Sequence, residues 1–281
     1  MAFRTIAVFV DPAPACADPI LYAVGLARQH EAHIIAICVV PTTWETKPSS
    51  MYARGDDAIH DVITVDTVGQ LDAIEAARQA FSRNMGERGS QEFRVVREFE
   101  AARHIQLNLL HVDIVVTGPL YHERQTAIWP ETELFAAGVP FVVVPDEWFE
   151  THGDGPPERV LVGWNASGEA RRAITASLPL LKQVDEVWIL VVDGPDNARR
   201  GEEPGADIAL YLSRHGVKVT VMQCESAAVP VHSVILDTAT AVAADLIVLG
   251  AYSHSRMVER IFGGVTHDLF KSAPFPLLVA R

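Results

Sequence analysis

Cysteine is scarce. The 281 residues hold three, Cys16, Cys38 and Cys224, scattered and without a C-x-x-C pair. So small and odd a set excludes a disulfide framework and fits buried or incidental thiols in a reducing compartment. Positive charge is in deficit: 23 Lys and Arg stand against 36 Asp and Glu, a formal net charge of −13. That balance argues against nucleic acid and acidic membrane surfaces as main partners. Long hydrophobic runs are missing, and stretches such as Ile34 to Val40 fall far short of a bilayer span. The opening Met-Ala-Phe-Arg-Thr-Ile-Ala-Val leads straight into a strand pattern with no signal-peptide layout. A soluble, cytoplasmic protein is expected. Catalytic signatures are also missing, with no G-x-x-x-x-G-K-[ST] loop, H-E-x-x-H or G-x-S-x-G elbow.

What is present is core. A hydrophobic fraction of 49% with 21% charged residues is globular, and the length suits one large or two ordinary domains. Compact apolar runs alternate with amphipathic stretches. The spacing predicts strands at 5–10, 33–40, 93–98, 113–117 and 140–145, then at 159–164, 186–192, 217–223, 246–249 and 275–280. Helices are predicted at 18–27, with Asp18 as N-cap and Pro19 at the first position, and at 67–85, 101–110 and 131–137. Further helices are expected after Ser167 and at 205–215, 231–243 and 265–271. Residues 42–66 are polar and weakly periodic and read as a long excursion. Residues 146–158, with two glycines, two prolines and several acids, read as a linker.

The plot repeats. Asp113-Ile-Val-Val-Thr-Gly118 aligns with Asp245-Leu-Ile-Val-Leu-Gly250 at an offset of 132 (245 − 113). Asp11 aligns with Asn165 at an offset of 154 (165 − 11). The first copy therefore carries extra residues before its fourth strand, and the 42–66 stretch accommodates them. The fold class expected is α/β: two repeated five-stranded, mainly parallel, doubly wound sheets, over 1–145 and 159–281. Ligands of such sheets bind beyond the carboxyl ends of the strands, where strand order reverses. Asp11 and Gly118 would stand there in the first copy, Asn165 and Gly250 in the second, with Val40 and Val192 as an apolar wall for a flat base. The segment from Asp245 to Thr266 is strand, glycine, loop, glycine pair, helix, an arrangement that aims backbone N–H groups at an anion.

These features resemble the universal stress protein (UspA) family, in a tandem two-domain form of its adenine nucleotide alpha hydrolase-like fold. The residues that carry the likeness are Val162-Gly-Trp-Asn-Ala-Ser167, the strand into Gly250, and Phe262-Gly263-Gly264-Val-Thr266. The resemblance implies a stress-response protein with an ATP site in the second half, built from Asn165, Val192, Gly250, Ser253, Arg256, Gly263, Gly264, Val265 and Thr266. It implies no metal beyond magnesium accompanying the nucleotide, and at most weak nucleotide hydrolysis. It also implies that Phe141 to Val144 and Leu277 to Val279 pair across a pseudo-twofold axis, with a homodimer of whole chains open beyond that.

The departures set the expected strength. ATP-binding members carry glycine, two residues, glycine, nine residues, glycine, then Ser or Thr. Here Ser253 replaces the second glycine and Gly264 the terminal hydroxyl residue. At a positive-φ position Ser253 costs about 1–2 kcal/mol, and a lost hydroxyl–phosphate bond about 1.5–3 kcal/mol, roughly ten- to a hundredfold in affinity. Weak binding is expected. The first copy's loop, from Gly118 through Tyr121, Trp129 and Pro130, lacks the glycines and reads as a site that has lost phosphate binding, leaving Asp11, Val40 and Gly118 as its remnant. Asn165 holds a base or ribose, or caps the turn into the Ser167 helix. Arg256 reaches a phosphate, or pairs with Glu259 in solvent. His254 and Ser255, in the same loop as Arg256, donate to a phosphate or are simply solvated. His30 with His33, and His104 with His111, lack the spacing and companions of metal pairs. Against the nucleotide reading stand a structural or interaction module, or a binder of another small ligand, and, last, an adenylating or flavin-dependent enzyme.

Overall fold

The computed structural model describes residues 2–10, 17–40, 56–85, 90–97, 101–119, 131–153, 155–193, 203–227, 229–251 and 264–281, with backbone alone at 56–70, 97, 101–102, 131–133, 264 and 272. In chain order the elements are β1 (Thr5–Val10), α1 (Asp18–His30), β2 (His33–Val40), α2 (Asp56–Met85), β3 (Gln91–Arg97), α3 (Ala101–Leu109), β4 (Ile114–Thr117), α4 (Glu131–Ala137) and β5 (Phe141–Val143). After α5 (Trp148–His152) come β6 (Arg159–Gly163), α6 (Gly168–Leu181), β7 (Glu186–Val192), α7 (Ala206–Arg214), β8 (Val219–Cys224), α8 (Val231–Ala241), β9 (Leu246–Gly250), α9 (Gly264–Ser272) and β10 (Leu277–Ala280).

The strands form one ten-stranded sheet in the order β3-β2-β1-β4-β5-β10-β9-β6-β7-β8. Each half repeats the same five-strand order, and within each half the pairs are parallel. The halves meet at an antiparallel seam with Val142 opposite Leu278. The two expected five-stranded units are present, continuous through the expected pairing of β5 with β10. Strands buried on both faces explain the apolar runs: Val8, Ala23, Val24, Val162 and Ile174 fill one face, and Phe9, Ile105, Leu134, Phe141, Ile247 and Leu269 the other. Each face's core runs through both halves.

The repeat extends to individual hydrogen bonds. The Asp113 carboxylate accepts the N–H groups of Arg4 (2.6 Å) and Thr5 (2.9 Å). The Asp245 carboxylate accepts those of Glu158 and Arg159, both at 2.9 Å. Asp113 and Asp245 also donate their own N–H groups to Thr5 and Arg159 carbonyls at 2.8 Å. An aspartate entering strand four thus stitches the start of strand one in both copies, and the charged acceptor satisfies donors that the sheet leaves open.

Three expectations change. The excursion 42–66 is helical from Asp56 onward as the start of α2, while 41–55 lies outside the described residues. The β-branched content of the sequence there, Ile59, Val62, Ile63 and Val65, had blurred the period. Asp18 is not the cap of its own helix: Ala17 holds that place, with no side-chain cap. The Asp18 carboxylate, 7% exposed, instead accepts N–H groups of Glu147 (2.8 Å) and Phe149 (3.2 Å) at the start of α5.

The stretch 146–158, read as a linker, therefore contains an anchored helical turn. Trp148 is buried, stacked on His152 with centroids 3.6 Å apart, and stands 6.3 Å from Phe275. Phe149 meets Tyr22 at 6.4 Å. Burial, with the Asp245 charge second, pushes the Tyr22 phenol above its usual range. At the far end of α1, buried His30 packs edge-on to Phe3 at 4.8 Å and lies 3.5 Å from the Gln183 amide of the other half. No helix among the described residues is long and apolar enough to cross a membrane.

Candidate functional site

In each half, strand order reverses between strands one and four, β1 and β4 in the first and β6 and β9 in the second. Their carboxyl ends define the crevices. In the second half β6 runs out through Trp164 to Asn165, and β9 ends at Gly250. Because β10 returns parallel to β9, the connecting α9 must run back along the sheet and starts at its carboxyl-end rim. Gly264 opens that helix; Val265 is half-buried and Thr266 buried.

Local chemistry fixes the rim. Asn165 Oδ1 accepts the Ser167 N–H at 3.2 Å, and Ser167 Oγ accepts the Ala170 N–H at 3.1 Å. Ala166, between them, takes the left-handed conformation at φ 57. The turn from β6 into α6 is thus held by two side-chain oxygens in succession. Of the two readings of Asn165, capping the turn is the one the geometry displays.

Gly250 is held by a different constraint. A Cβ there would run into the Ala170 N and lie 2.5 Å from the Glu169 carbonyl carbon. The first turn of α6 sits directly on the end of β9, so only glycine fits, whatever the crevice holds. Gly118, its counterpart, would place a Cβ 3.5 Å from Pro19 Cγ, an ordinary contact.

The apolar wall needs a correction of register. Val192 is buried against the face that carries Ile235 and Leu269, whereas Val40 is buried against the face that carries Ile20 and Val24. Thr5 pairs with His33 and Arg159 with Glu186, so the second strands correspond at an offset of 153 (186 − 33). Val192 therefore matches Val39, and Val40 matches Asp193. A one-residue slip exchanges faces. It also brings forward a residue that the sequence reading missed. Asp193 ends β7 in the left-handed conformation, φ 53, and its Oδ1 accepts the Ser226 N–H at 2.7 Å. An acidic residue closing an apolar run just before Gly-Pro was the available signal.

Asp11, Tyr121, Trp129, Ser253, His254, Ser255, Arg256, Glu259 and Gly263 lie outside the described residues. Thr117, immediately before Gly118, is fully buried, and its hydroxyl has no hydrogen-bond partner among the described residues. Among the described residues no group of three or more His, Cys, Asp or Glu is placed to hold a metal ion. His33 binds Ser90 Oγ at 2.7 Å, while His30 turns to Phe3 and Gln183.

Comparison with known proteins follows the same geometry. Residues 156–281 match the Universal stress protein family. Among curated proteins none matches the chain's sequence. A universal stress protein from Archaeoglobus fulgidus shares the fold at a TM-score of 0.66 and 16% identity, over 98% of this chain and 96% of that one. A functionally unknown protein from Pseudomonas aeruginosa does so at a TM-score of 0.59 and 13% identity, over 99% of this chain and 92% of that one. Residues 156–281 thus resemble that family in sequence, and the whole chain shares the fold of these full-length neighbours.

Proposed function

We propose that this chain, whose second half resembles the universal stress protein family, is a stress-response protein that senses adenine nucleotide weakly through that half. The observation that carries the reading is the switch-point crevice, where the ends of β6 and β9 stand together and α9 begins at Gly264 with its N-terminus toward the same rim. Asn165, Val192 and Gly250 border the base and ribose side, and Ser253, Arg256, Gly263, Gly264, Val265 and Thr266 supply the phosphate side. Backbone N–H groups at a helix start favour an anion without any catalytic group. Binding rather than turnover is the role, with magnesium arriving only alongside ATP. The first half, left with Asp11, Val40 and Gly118, serves as a structural partner, and the cytoplasm is the proposed location.

Native mass spectrometry of the purified chain with millimolar ATP tests this. One nucleotide per chain is expected, displaced when Gly263→Glu puts a carboxylate where phosphate would sit. A chain that ignores ATP and carries no co-purified nucleotide would sink the proposal. A second reading, an interaction module with no nucleotide, draws on one specific observation: packing against Ala170 accounts for Gly250 and turn capping for Asn165. Turnover well above background would instead favour an enzyme.

A further inference from the structure

The sheet has two outer strands, β3 and β8, and among the described residues no strand pairs beyond either. An edge strand offers a row of unpaired N–H and C=O groups to any other strand unless charge, proline or a covering element guards it. β3 is guarded. It carries Glu92 and Arg94, and the Arg94 guanidinium donates to both Glu92 oxygens at 2.8 Å and to Asn108 Oδ1 at 2.6 Å.

β8 is bare. Val219-Thr-Val-Met-Gln-Cys224 holds no charge, and every residue in it is half-buried or exposed. Val187 N–H donates to the Lys218 carbonyl and Asp193 N–H to the Cys224 carbonyl, both at 2.9 Å. In a parallel ladder that turns the backbone groups of residues 218, 220, 222 and 224 toward β7. Those of Val219, Val221 and Gln223 face outward. The flanking charges are opposite, Lys218 before the strand and Glu225 after it. Leu210 of α7, the helix packed on β8, is 51% exposed.

We propose that β8 is a dimerisation edge, on which a second copy of this chain lays its own β8 antiparallel about a twofold axis through Val221. In that register Val219 faces Gln223 of the second copy, both with outward backbone groups. Each Lys218 end lies beside the other copy's Glu225 end, so the pairing is self-complementary in hydrogen bonds and in charge. The seam between β5 and β10 already joins the two halves in the same antiparallel, in-plane way. Because β3 is blocked, one bare edge per chain closes the assembly at two copies, whereas two bare edges would propagate.

Sedimentation equilibrium of the full chain, with two variants, decides it. Thr220→Lys brings two like charges to one face of the ladder, diagonal to each other across the twofold axis, and Gln223→Pro removes an outward N–H without touching the bonds to β7. Wild type is expected to dimerise, and each variant to weaken the dimer by about tenfold or more with unchanged circular dichroism. Hydrogen exchange of wild type gives an independent reading: amides of Val219, Val221 and Gln223 should slow as concentration rises. A monomer up to millimolar concentration, dimers undiminished by both substitutions, or outward amides that exchange fast at every concentration would each overturn the proposal.

Discussion

Gly118 and Gly250 occupy the same place in the two halves, yet only one of them is compelled. At Gly250 a methyl group would enter the backbone of α6, whereas at Gly118 it would rest at ordinary distance from Pro19. The first turn of the helix after strand one presses on strand four in the second half and stands off it in the first. The anchoring of those helices differs as well. Ser167 caps α6 locally, while Asp18 spends its carboxylate on α5, 129 residues further along. In the second copy the helix packs tightly on strand four and is capped by its neighbour; in the first the corresponding helix is tied to α5.

That contrast can be broken most decisively at the glycines. Gly250→Ala should cost about 3 kcal/mol, the upper range for forcing atoms into packed backbone. Gly118→Ala should shift stability by less than about 1 kcal/mol. Urea unfolding of the two variants measures both, and equal losses would erase the distinction. Next comes Asp18→Ala, which strands the Glu147 and Phe149 N–H groups and should cost about 2 kcal/mol. Limited proteolysis should then cut near α5 before any other described segment. Asp113→Ala and Asp245→Ala sharpen the comparison from the other side. Each removes one carboxylate from two amides, so their losses should match at about 1.5 kcal/mol. A gap well beyond the error of calorimetry would mean that the stitch is not equivalent in the two copies.

The smallest effect expected is on pH dependence. Burial holds the His30 imidazole below its ordinary value, and the elements packed on it bring the Phe3 ring and the Gln183 amide, neither of them charged. The unfolded chain therefore takes up the proton first. Stability should begin to fall as pH drops through about 6.5, the unfolded value, and continue falling toward the lower folded value. Thermal melts of His30→Gln should show a flatter slope across that window, and a slope equal to wild type would remove His30 as its cause.

Much of this architecture was legible because strands buried on both faces leave unbroken runs rich in Val and Ile, too short for helices and bounded by turn residues. The repeat was legible for the same reason, since Asp113 and Asp245 introduce matching runs. What those aspartates do was not, because their partners lie at least 86 residues away. Asp18 misled for a related reason: Asp-Pro before an apolar period is a local capping signal, and a tertiary acceptor overrode it. The weak period of residues 56–66 hid helix, and the Gly and Pro content of 146–158 hid the buried Trp148. At the site, glycine spacing marked Gly250 but could not say that Ala170 demands it. Aligning Val40 with Val192 failed by one residue, which in a strand is the difference between opposite faces.

The antiparallel meeting of Val142 and Leu278 also fixes where the two crevices can be. Strands of one half point up where those of the other point down, so the two mouths open on opposite rims of a shared wall. Nothing lodged in one mouth can touch what lodges in the other. Among the described residues the halves touch along β5 and β10 and through side chains such as His30 with Gln183, which lie between the two mouths.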